Sequence, residues 1–189
     1  MAALEMNRWT LATMVSSSVL IATMAGCDGH ATTDTHTRVS IGGKSFNLEL
    51  ALDDQKRFHG LSNVDPIPDD GGMLFVFPDR GVAVHEFVMR DCAKAIDIIY
   101  LDPSGRITAS YTMPAEPPRA DDEKELTPQF AGAPEWAKMN PKYEARLKKY
   151  SSRFAAKYAI ELKGETIKGM DLKPGQLIEI DPAIKGRAK

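Results

Sequence analysis

A carboxylate inside an apolar segment is the first feature of this sequence that could do chemistry. Asp97 interrupts the apolar run that ends at Leu101. A buried carboxylate is costly unless it is paired or hydrogen-bonded. Arg90 and Arg57 are the candidate partners. We favour a structural ion pair, or a carboxylate bonded to loop amides. The alternative is a ligand-binding or catalytic carboxylate with a perturbed pKa.

Two further places in the sequence could also act chemically: the adjacent pair His85 and Glu86, and Cys92. His85 and Glu86 are adjacent, so on a strand they lie on opposite faces and are not expected to act together. A thiolate at Cys92 needs a histidine base or a positive site, and we favour a buried structural cysteine. The sequence has no HExxH, paired CxxC, GxSxG, P-loop or Rossmann glycine pattern. We therefore expect no cofactor and no metal.

The N-terminal segment predicts export. Arg8 precedes an apolar run over residues 11–26, shorter than a membrane-spanning helix needs. Small residues then stand directly before Cys27, which is typical of a bacterial lipoprotein signal, although Met24 occupies the usual leucine position. Residues 1–26 are thus a predicted signal peptide, and Cys27 is the predicted lipidation site. The alternatives are an ordinary secretory signal or an uncleaved anchor.

Composition and charge predict one ordinary globular domain behind this signal. The chain has 189 residues, a net charge of −2, and 43% hydrophobic and 26% charged residues. Dispersed basic residues argue against a nucleic-acid partner. Residues 27–37 are small and polar, which predicts a flexible tether more than a weak metal site of its histidines and aspartates. A single domain over 38–182 and a C-terminal tail over 183–189 follow.

Alternating apolar residues predict a mainly β fold. Residues 38–41 and 44–52 flank a Gly-Gly turn as a hairpin, and Asp53 and Gly60 bound a short helix. Ile107, Ala109 and Tyr111 are expected to share one face. A helical turn is expected around 165–169. Further strands are predicted at 73–77, 82–89, 95–101, 106–113, 157–162 and 176–180. We expect a small antiparallel β-barrel or sandwich with a few short helices.

A proline-punctuated segment interrupts this pattern over residues 114–152, here called the arm. Tyr143, Leu147 and Tyr150 are spaced as on one helical face, and Glu144 and Lys148 form a favourable i,i+4 pair. We favour a surface helix that caps the barrel. The alternative is a lid or partner-docking arm anchored by Trp136.

Five motifs in order resemble one protein family, the domain of unknown function 192 (DUF192) family. The resemblance covers residues 38–113 and 153–181 and implies a small, mostly β protein, often exported or membrane-associated, with no established activity. The motifs are Arg57-Phe58-His59-Gly60-Leu61, Gly72-Met73-Leu74-Phe75-Val76-Phe77, Phe87-Val88-Met89-Arg90, Ile96-Asp97-Ile98-Ile99-Tyr100 and Tyr158-Ala159-Ile160-Glu161-Leu162.

The family's polar motif is altered in this sequence. Its pattern of an aromatic residue, Met, Lys, Asn and Thr becomes Val88-Met89-Arg90-Asp91-Cys92. If that motif contacts a ligand in the family, the departures imply a different ligand here, or none. The candidate ligand-binding residues are therefore Asp97, Arg90, Arg57, Met89 and Asp91.

Two functional hypotheses remain. The first is an envelope lipoprotein that is attached to the membrane through Cys27, faces the periplasm or the exterior, and binds a small ligand or an envelope protein without catalysis. The second is a hydrolase-like envelope enzyme that uses Asp97 with Arg90 and His85. We favour the first, because an exported enzyme usually carries a recognisable nucleophile or metal constellation.

Overall fold

The structure, a computed structural model, describes residues 32–188 and begins with the predicted hairpin. Strand β1 (His36–Ile41) pairs antiparallel with β2 (Lys44–Ala51). Gly42 and Gly43 adopt φ angles of 56° and 80°, a left-handed conformation that a tight turn requires and glycine permits. Alternate residues of both strands are buried, as the period-two pattern predicts.

The main sheet has six strands and is mixed. Helix α1 (Asp54–His59) follows β2, and the chain then returns as β3 (Gly71–Val76), which lies parallel to β2. The remaining neighbours are antiparallel, and the strand order is β1-β2-β3, then β8 (Tyr158–Lys163), β5 (Ile96–Leu101) and β6 (Ile107–Met113). The mainly β class is confirmed. The sheet is open and sandwich-like, and the parallel β2–β3 pair differs from the expected antiparallel arrangement because α1 and its loop carry the chain back across the sheet.

Strand β5 (Ile96–Leu101) lies between β6 (Ile107–Met113) and β8 (Tyr158–Lys163). Its register with β6 shifts where Tyr100 opposes Ala109 but Leu101 opposes Ile107. This β-bulge places Ile107 in a different core cluster from Ala109 and Tyr111. The prediction that the three share a face is therefore wrong, because an extra residue in a strand reverses the alternation.

A second, two-stranded sheet lies outside the main one. It joins β4 (Glu86–Phe87) to β7 (Tyr150–Ser151). The strand predicted over 82–89 is therefore much shorter, although an isolated bridge between Ala83 and Ala156 continues the pairing. The strand predicted over 176–180 is also not formed. Leu177 makes only a single bridge to Arg106, and residues 164–170 form turns without a helix.

Both faces of the main sheet are covered. The first face packs Ile99, Leu101 and Ile160 against Ile178 and neighbouring residues of the C-terminal segment. The second face packs a different cluster, whose members include Met73, Phe75, Ile98, Tyr100, Tyr150 and Ala159. A sheet buried on both faces explains the unbroken apolar runs of β3 and β5.

The arm covers the second face. Helix α2 (Pro141–Arg146) is capped by Asn140, whose side chain accepts a hydrogen bond from the Tyr143 amide. Tyr143, Leu147 and Tyr150 are all buried, but only Tyr143 belongs to the helix. The predicted Glu144–Lys148 pair is wrong, since the Glu144 carboxylate binds Arg90 and the Lys148 amine lies over the Tyr150 ring. The capping role of the arm fits this packing.

The two ends of the described chain meet beside β1. The Arg187 guanidinium donates hydrogen bonds to the carbonyls of Thr33 and Asp34, and the Thr32 hydroxyl donates to Asp181 at 2.5 Å. Ile184 is fully buried. The ordered domain therefore extends into both segments predicted as tether and tail. Cys27 and the signal segment lie outside the described residues.

Candidate functional site

Helix α1 places the side chains of Arg57, Phe58 and His59 at the edge of the second face. Asp53 accepts a hydrogen bond from the Lys56 amide at 2.8 Å, a capping interaction that begins the helix. Arg57 then lies across the end of β3, where Nη1 donates to the Val76 carbonyl at 2.9 Å and Nη2 pairs with Asp54 at 2.7 Å. Its side chain is only 8% exposed.

Gly60 ends the helix against a glutamate of β8. Its φ of 52° is left-handed, and a Cβ here would lie 2.9 Å from Glu161 Oε2. The absence of a side chain lets the next residue approach, so that the Leu61 amide donates to Glu161 Oε2 at 3.1 Å. Glycine is thus needed at this position for both its conformation and its size.

Glu161 is a buried acid with one hydrogen bond. It is 5% exposed, and among residues 32–188 it forms no ion pair and Oε1 accepts no hydrogen bond. Burial raises the pKa of this carboxyl to about 7, opposed only by the Leu61 amide. Its charge in turn contributes to the raised pKa of Tyr100 and of Cys92. Burial therefore favours the protonated form of Glu161 more than it would in an exposed glutamate.

A cavity of about 250 Å³ opens beside Glu161. Its wall combines α1, the segment around β4 and the residues that follow, and we call it the Glu161 cavity. Arg90 lies in this wall between aromatic and acidic groups. Its guanidinium is 4.5 Å from the centre of the Phe58 ring and forms two bonds to the Glu144 carboxylate, at 2.6 and 2.7 Å.

His85 and Cys92 complete the cavity wall without becoming reactive groups. The His85 ring stacks on Phe77 with centroids 3.6 Å apart, and Nε2 donates to the Gly81 carbonyl at 3.0 Å. Burial lowers the pKa of His85. Burial raises the pKa of Cys92 to about 12, and its thiol donates to the Arg90 carbonyl. A thiol held in this state is a poor nucleophile at neutral pH, which fits a structural role.

The arm contacts the wall of the Glu161 cavity through aromatic and charged side chains. Trp136 packs edge-to-face on Phe58, with centroids 5.6 Å apart. In the same arm, the guanidiniums of Arg119 and Arg146 lie 3.9 and 4.6 Å from the centre of the Tyr143 ring. The arm is therefore attached to the same elements that form the Glu161 cavity.

Asp97 lies on the other face of the sheet. It is fully buried in the first face, where Oδ2 accepts a hydrogen bond from the Ile167 amide at 2.8 Å and Oδ1 has no partner among the described residues. The predicted pairing with Arg90 or Arg57 is wrong, because both guanidiniums lie on the second face. The loop-amide alternative is correct. For the same reason Asp97, Arg90 and His85 do not form one catalytic group.

The five candidate ligand-binding residues separate accordingly. Arg57 and Arg90 line the Glu161 cavity. Met89 is a buried member of the second-face core, and Asp91 forms a bidentate ion pair with Arg119, with both bonds 2.7 Å long. The segment Val88-Met89-Arg90-Asp91-Cys92 therefore both lines the cavity and binds the arm through ion pairs.

Sequence reasoning missed Glu161, although a signal was present. Like Asp97, it is an acid within an apolar run, Tyr158-Ala159-Ile160-Glu161-Leu162. A strand was predicted over 157–162, but Glu161 was assigned no role in it. Alternation places Ala159 on the same face as Glu161 and Tyr158 on the opposite face. Neither residue is charged, which indicates that both faces of this strand are covered.

Within residues 32–188 no group of three metal-ligating side chains occurs, and no helix there is long and apolar enough to cross a membrane. The segments named as signal and lipidation site lie outside this range. The histidine and aspartate of the predicted tether that fall within it, His36 and Asp34, do not form such a group.

Comparisons with known proteins identify one uncharacterised family and two solved structures of similar fold. The model of the DUF192 family, described as uncharacterized, matches residues 37–180. No curated protein sequence matches the chain. A candidate transcription regulator of Sinorhizobium meliloti 1021 shares 21% identity with a TM-score of 0.52, over 77% of this chain and 92% of that one. A protein of unknown function from Novosphingobium aromaticivorans DSM 12444 shares 17% identity with a TM-score of 0.51, over 77% and 84%. At these identities the two structures support the fold alone.

Proposed function

The chain belongs to the DUF192 family, and from that premise we propose that it is a lipid-anchored envelope domain that binds a small ligand in the Glu161 cavity without catalysis. One observation carries the ligand-binding proposal: a buried carboxyl with an oxygen that no described residue bonds lines a cavity. Because Glu161 lines the cavity and no described residue bonds its Oε1, a ligand in the cavity can donate a hydrogen bond to this oxygen.

The lipid anchor rests on the sequence pattern before Cys27 and on the export that the resemblance implies. Two or three acyl chains at this residue attach a protein stably to a bilayer, whereas one does not. The anchor would hold the folded domain close to the membrane, because Cys27 lies only five positions before Thr32, the first residue that the structure describes.

The anchor is tested by expressing the full chain and Cys27→Ser in a bacterial host fed a clickable fatty acid. The proposal expects label on the wild-type chain, membrane fractionation, and neither in the variant. Cys92→Ser is the matched control, since it removes the other cysteine and should retain the label. Label that persists in Cys27→Ser contradicts the anchor.

Ligand binding is tested on the full chain purified gently in mild detergent. Native mass spectrometry should detect a retained small molecule, and a thermal-shift screen of envelope metabolites should identify stabilising compounds. Glu161→Gln should lose both signals. A clean mass with no thermal shift would reject the small ligand and leave a protein partner that docks on the arm.

A further inference from the structure

The Glu161 cavity has a charge balance that restricts its ligand. Building on the ligand-binding function proposed above, we infer that the ligand is a small organic cation whose ammonium group bonds the Glu161 carboxylate while its apolar part lies among the aromatic side chains of the wall.

Glu161 is the acid of the cavity wall that lacks a cation among residues 32–188. The other acid of the wall, Glu86, pairs with Lys149 at 3.0 Å and is about half exposed. Glu161 has only the Leu61 amide on Oε2. An ammonium group offers three N–H donors and a full positive charge, which is the complement that Oε1 lacks.

The guanidiniums of the wall are already matched by other acids. Arg57 bonds Asp54 at 2.7 Å, and Arg90 forms a two-bond pair with Glu144. Neither of these arginines contributes appreciably to the ionisation of Glu161, which burial and the Leu61 amide set. The two arginine–acid pairs are each neutral, so the remaining charge of the cavity is that of the Glu161 carboxylate.

The remaining wall suits the carbon part of such a molecule. Phe58, Phe77 and Phe87 line the cavity together with Leu61 and Val88. Arg90 already lies over the Phe58 ring and His85 stacks on Phe77, so the wall offers ring edges and the Phe87 side chain as apolar surface for the ligand's carbon atoms. A volume of about 250 Å³ holds a compact amine but no large metabolite.

An inorganic cation fits the same place poorly. Calcium requires six or more oxygen ligands and magnesium an octahedral set. Around Glu161 the described residues bring no second unpaired carboxylate, and residues 32–188 contain no group of three metal-ligating side chains. An ammonium needs only one carboxylate, so the chemistry of the site favours the organic cation.

The test compares three probes of one shape: 2-phenylethylamine, 2-phenylethanol and phenylacetate. Their affinities for the full chain are measured by isothermal titration calorimetry in mild detergent at pH 8. The proposal expects the amine to bind about tenfold more tightly than the alcohol, and the acid to bind least. Glu161→Gln should remove the amine's advantage and leave the affinity of the alcohol unchanged.

Asp97→Asn is the matched control, since it neutralises a buried acid of the adjacent strand on the opposite face and should leave all three affinities unchanged. Circular dichroism checks that each variant folds. Should Glu161→Gln fail to fold, the wild-type chain still gives an answer through ¹⁵N NMR, where the amine should shift the Leu61 amide more than the alcohol does.

The outcomes separate this inference from the ligand-binding proposal on which it rests. Equal affinities for amine and alcohol, or tightest binding of phenylacetate, would overturn the organic cation while leaving a ligand-binding cavity. An amine advantage that survives in Glu161→Gln would place the cation elsewhere and also overturn the inference. Failure of all three probes to bind would reject the inference together with small-ligand binding at this cavity.

Discussion

The two faces of the main sheet are built differently around the same chemical feature. The first face is closed by apolar residues of the C-terminal segment, with Ile178, Ile180 and Ile184 all buried. The second is covered by α1, loops and the arm, which attach through ion pairs and aromatic contacts and leave the Glu161 cavity. Each face nevertheless contains one buried acid that a strand of the sheet contributes: Asp97 on the first face and Glu161 on the second.

These two acids occupy neighbouring positions on adjacent strands. In the β5–β8 register, Asp97 opposes Leu162 and Ile98 opposes Glu161. Each acid accepts one hydrogen bond from a loop amide, at 2.8 Å for Asp97 and 3.1 Å for Glu161. The surroundings differ, since Asp97 is enclosed and Glu161 lines a cavity. Burial of an acid within a strand therefore does not by itself mark a ligand site; contact with a cavity is also needed.

The largest expected effect tests whether the first face is the more tightly packed. Leu162 is fully buried there, so Leu162→Ala should lower the free energy of unfolding by about 3 kcal/mol, through lost burial and the resulting cavity. Phe58→Ala at the partly exposed rim of the second face should cost less than half of this. Urea unfolding at pH 6 measures both. Equal losses would contradict the contrast between the faces.

The second prediction concerns pH and separates the two acids. The folded-state pKa of Glu161 is about 7, against an ordinary 4.5, so the folded chain holds this proton more tightly than the unfolded chain. Its contribution to stability is fully present below pH 4.5 and is lost as pH rises to 7, by about 3 kcal/mol at most.

Glu161→Gln should therefore reduce the fall in unfolding free energy between pH 4.5 and 8, and at pH 8 it should be more stable than the wild-type chain. Urea titrations at several pH values measure this difference. Asp97→Asn provides the comparison on the first face. A wild-type pH dependence that Glu161→Gln leaves unchanged would show that burial does not raise the pKa of this carboxyl.

A smaller effect is expected at the attachment of the arm. Glu144→Gln removes the charged partner of Arg90 in a partly buried pair, which should cost about 1 kcal/mol. The loss should also increase acrylamide quenching of Trp136, because the arm packs less firmly on Phe58. The measurement uses a Trp9→Phe background, in which Trp136 is the remaining tryptophan. Lys142→Gln, on an exposed pair of the same helix, is the control and should change neither quantity appreciably.

The smallest expected effect is the alkylation of Cys92, which reports how accessible the second face is to a small reagent. Cys92 lines the cavity but is 7% exposed, and burial raises its pKa to about 12. Iodoacetamide at pH 8 should leave Cys92 unlabelled in the folded chain and label it fully in urea, as peptide mass spectrometry would report. Rapid labelling of the folded Cys27→Ser variant would show that Cys92 is accessible and ionises readily, which would contradict this prediction.

Local sequence patterns predicted much of the fold. The β1–β2 hairpin, the Asp53 cap, the Gly60 stop and strands β3, β5 and β8 follow from alternation, turn glycines and capping residues, all of which act over a few neighbours. The bulge that separates Ile107 from Ala109, and the parallel β2–β3 pair, depend on contacts between distant segments. No short window of sequence contains that information.

The candidate site shows the same division. Arg57 and Arg90 were proposed as partners of Asp97; both line the cavity, but neither pairs with Asp97. Their carboxylate partners, Asp54 and Glu144, could not be assigned because sequence does not fix which loop covers which face. Glu161, like Asp97, is an acid within an apolar run, so only the fold shows which of the two residues lines a cavity.

The contact between the two ends of the described residues, 32–188, has a consequence for how this domain could be rearranged. Because the Arg187 side chain bonds the carbonyls of Thr33 and Asp34, a short peptide could join the ends, and new ends could be opened in an exposed turn such as that at Ser104. A circular permutant of this kind would place its ends on another side of the sheet. The domain is equally suited to insertion, as a cassette, into a surface loop of a host protein.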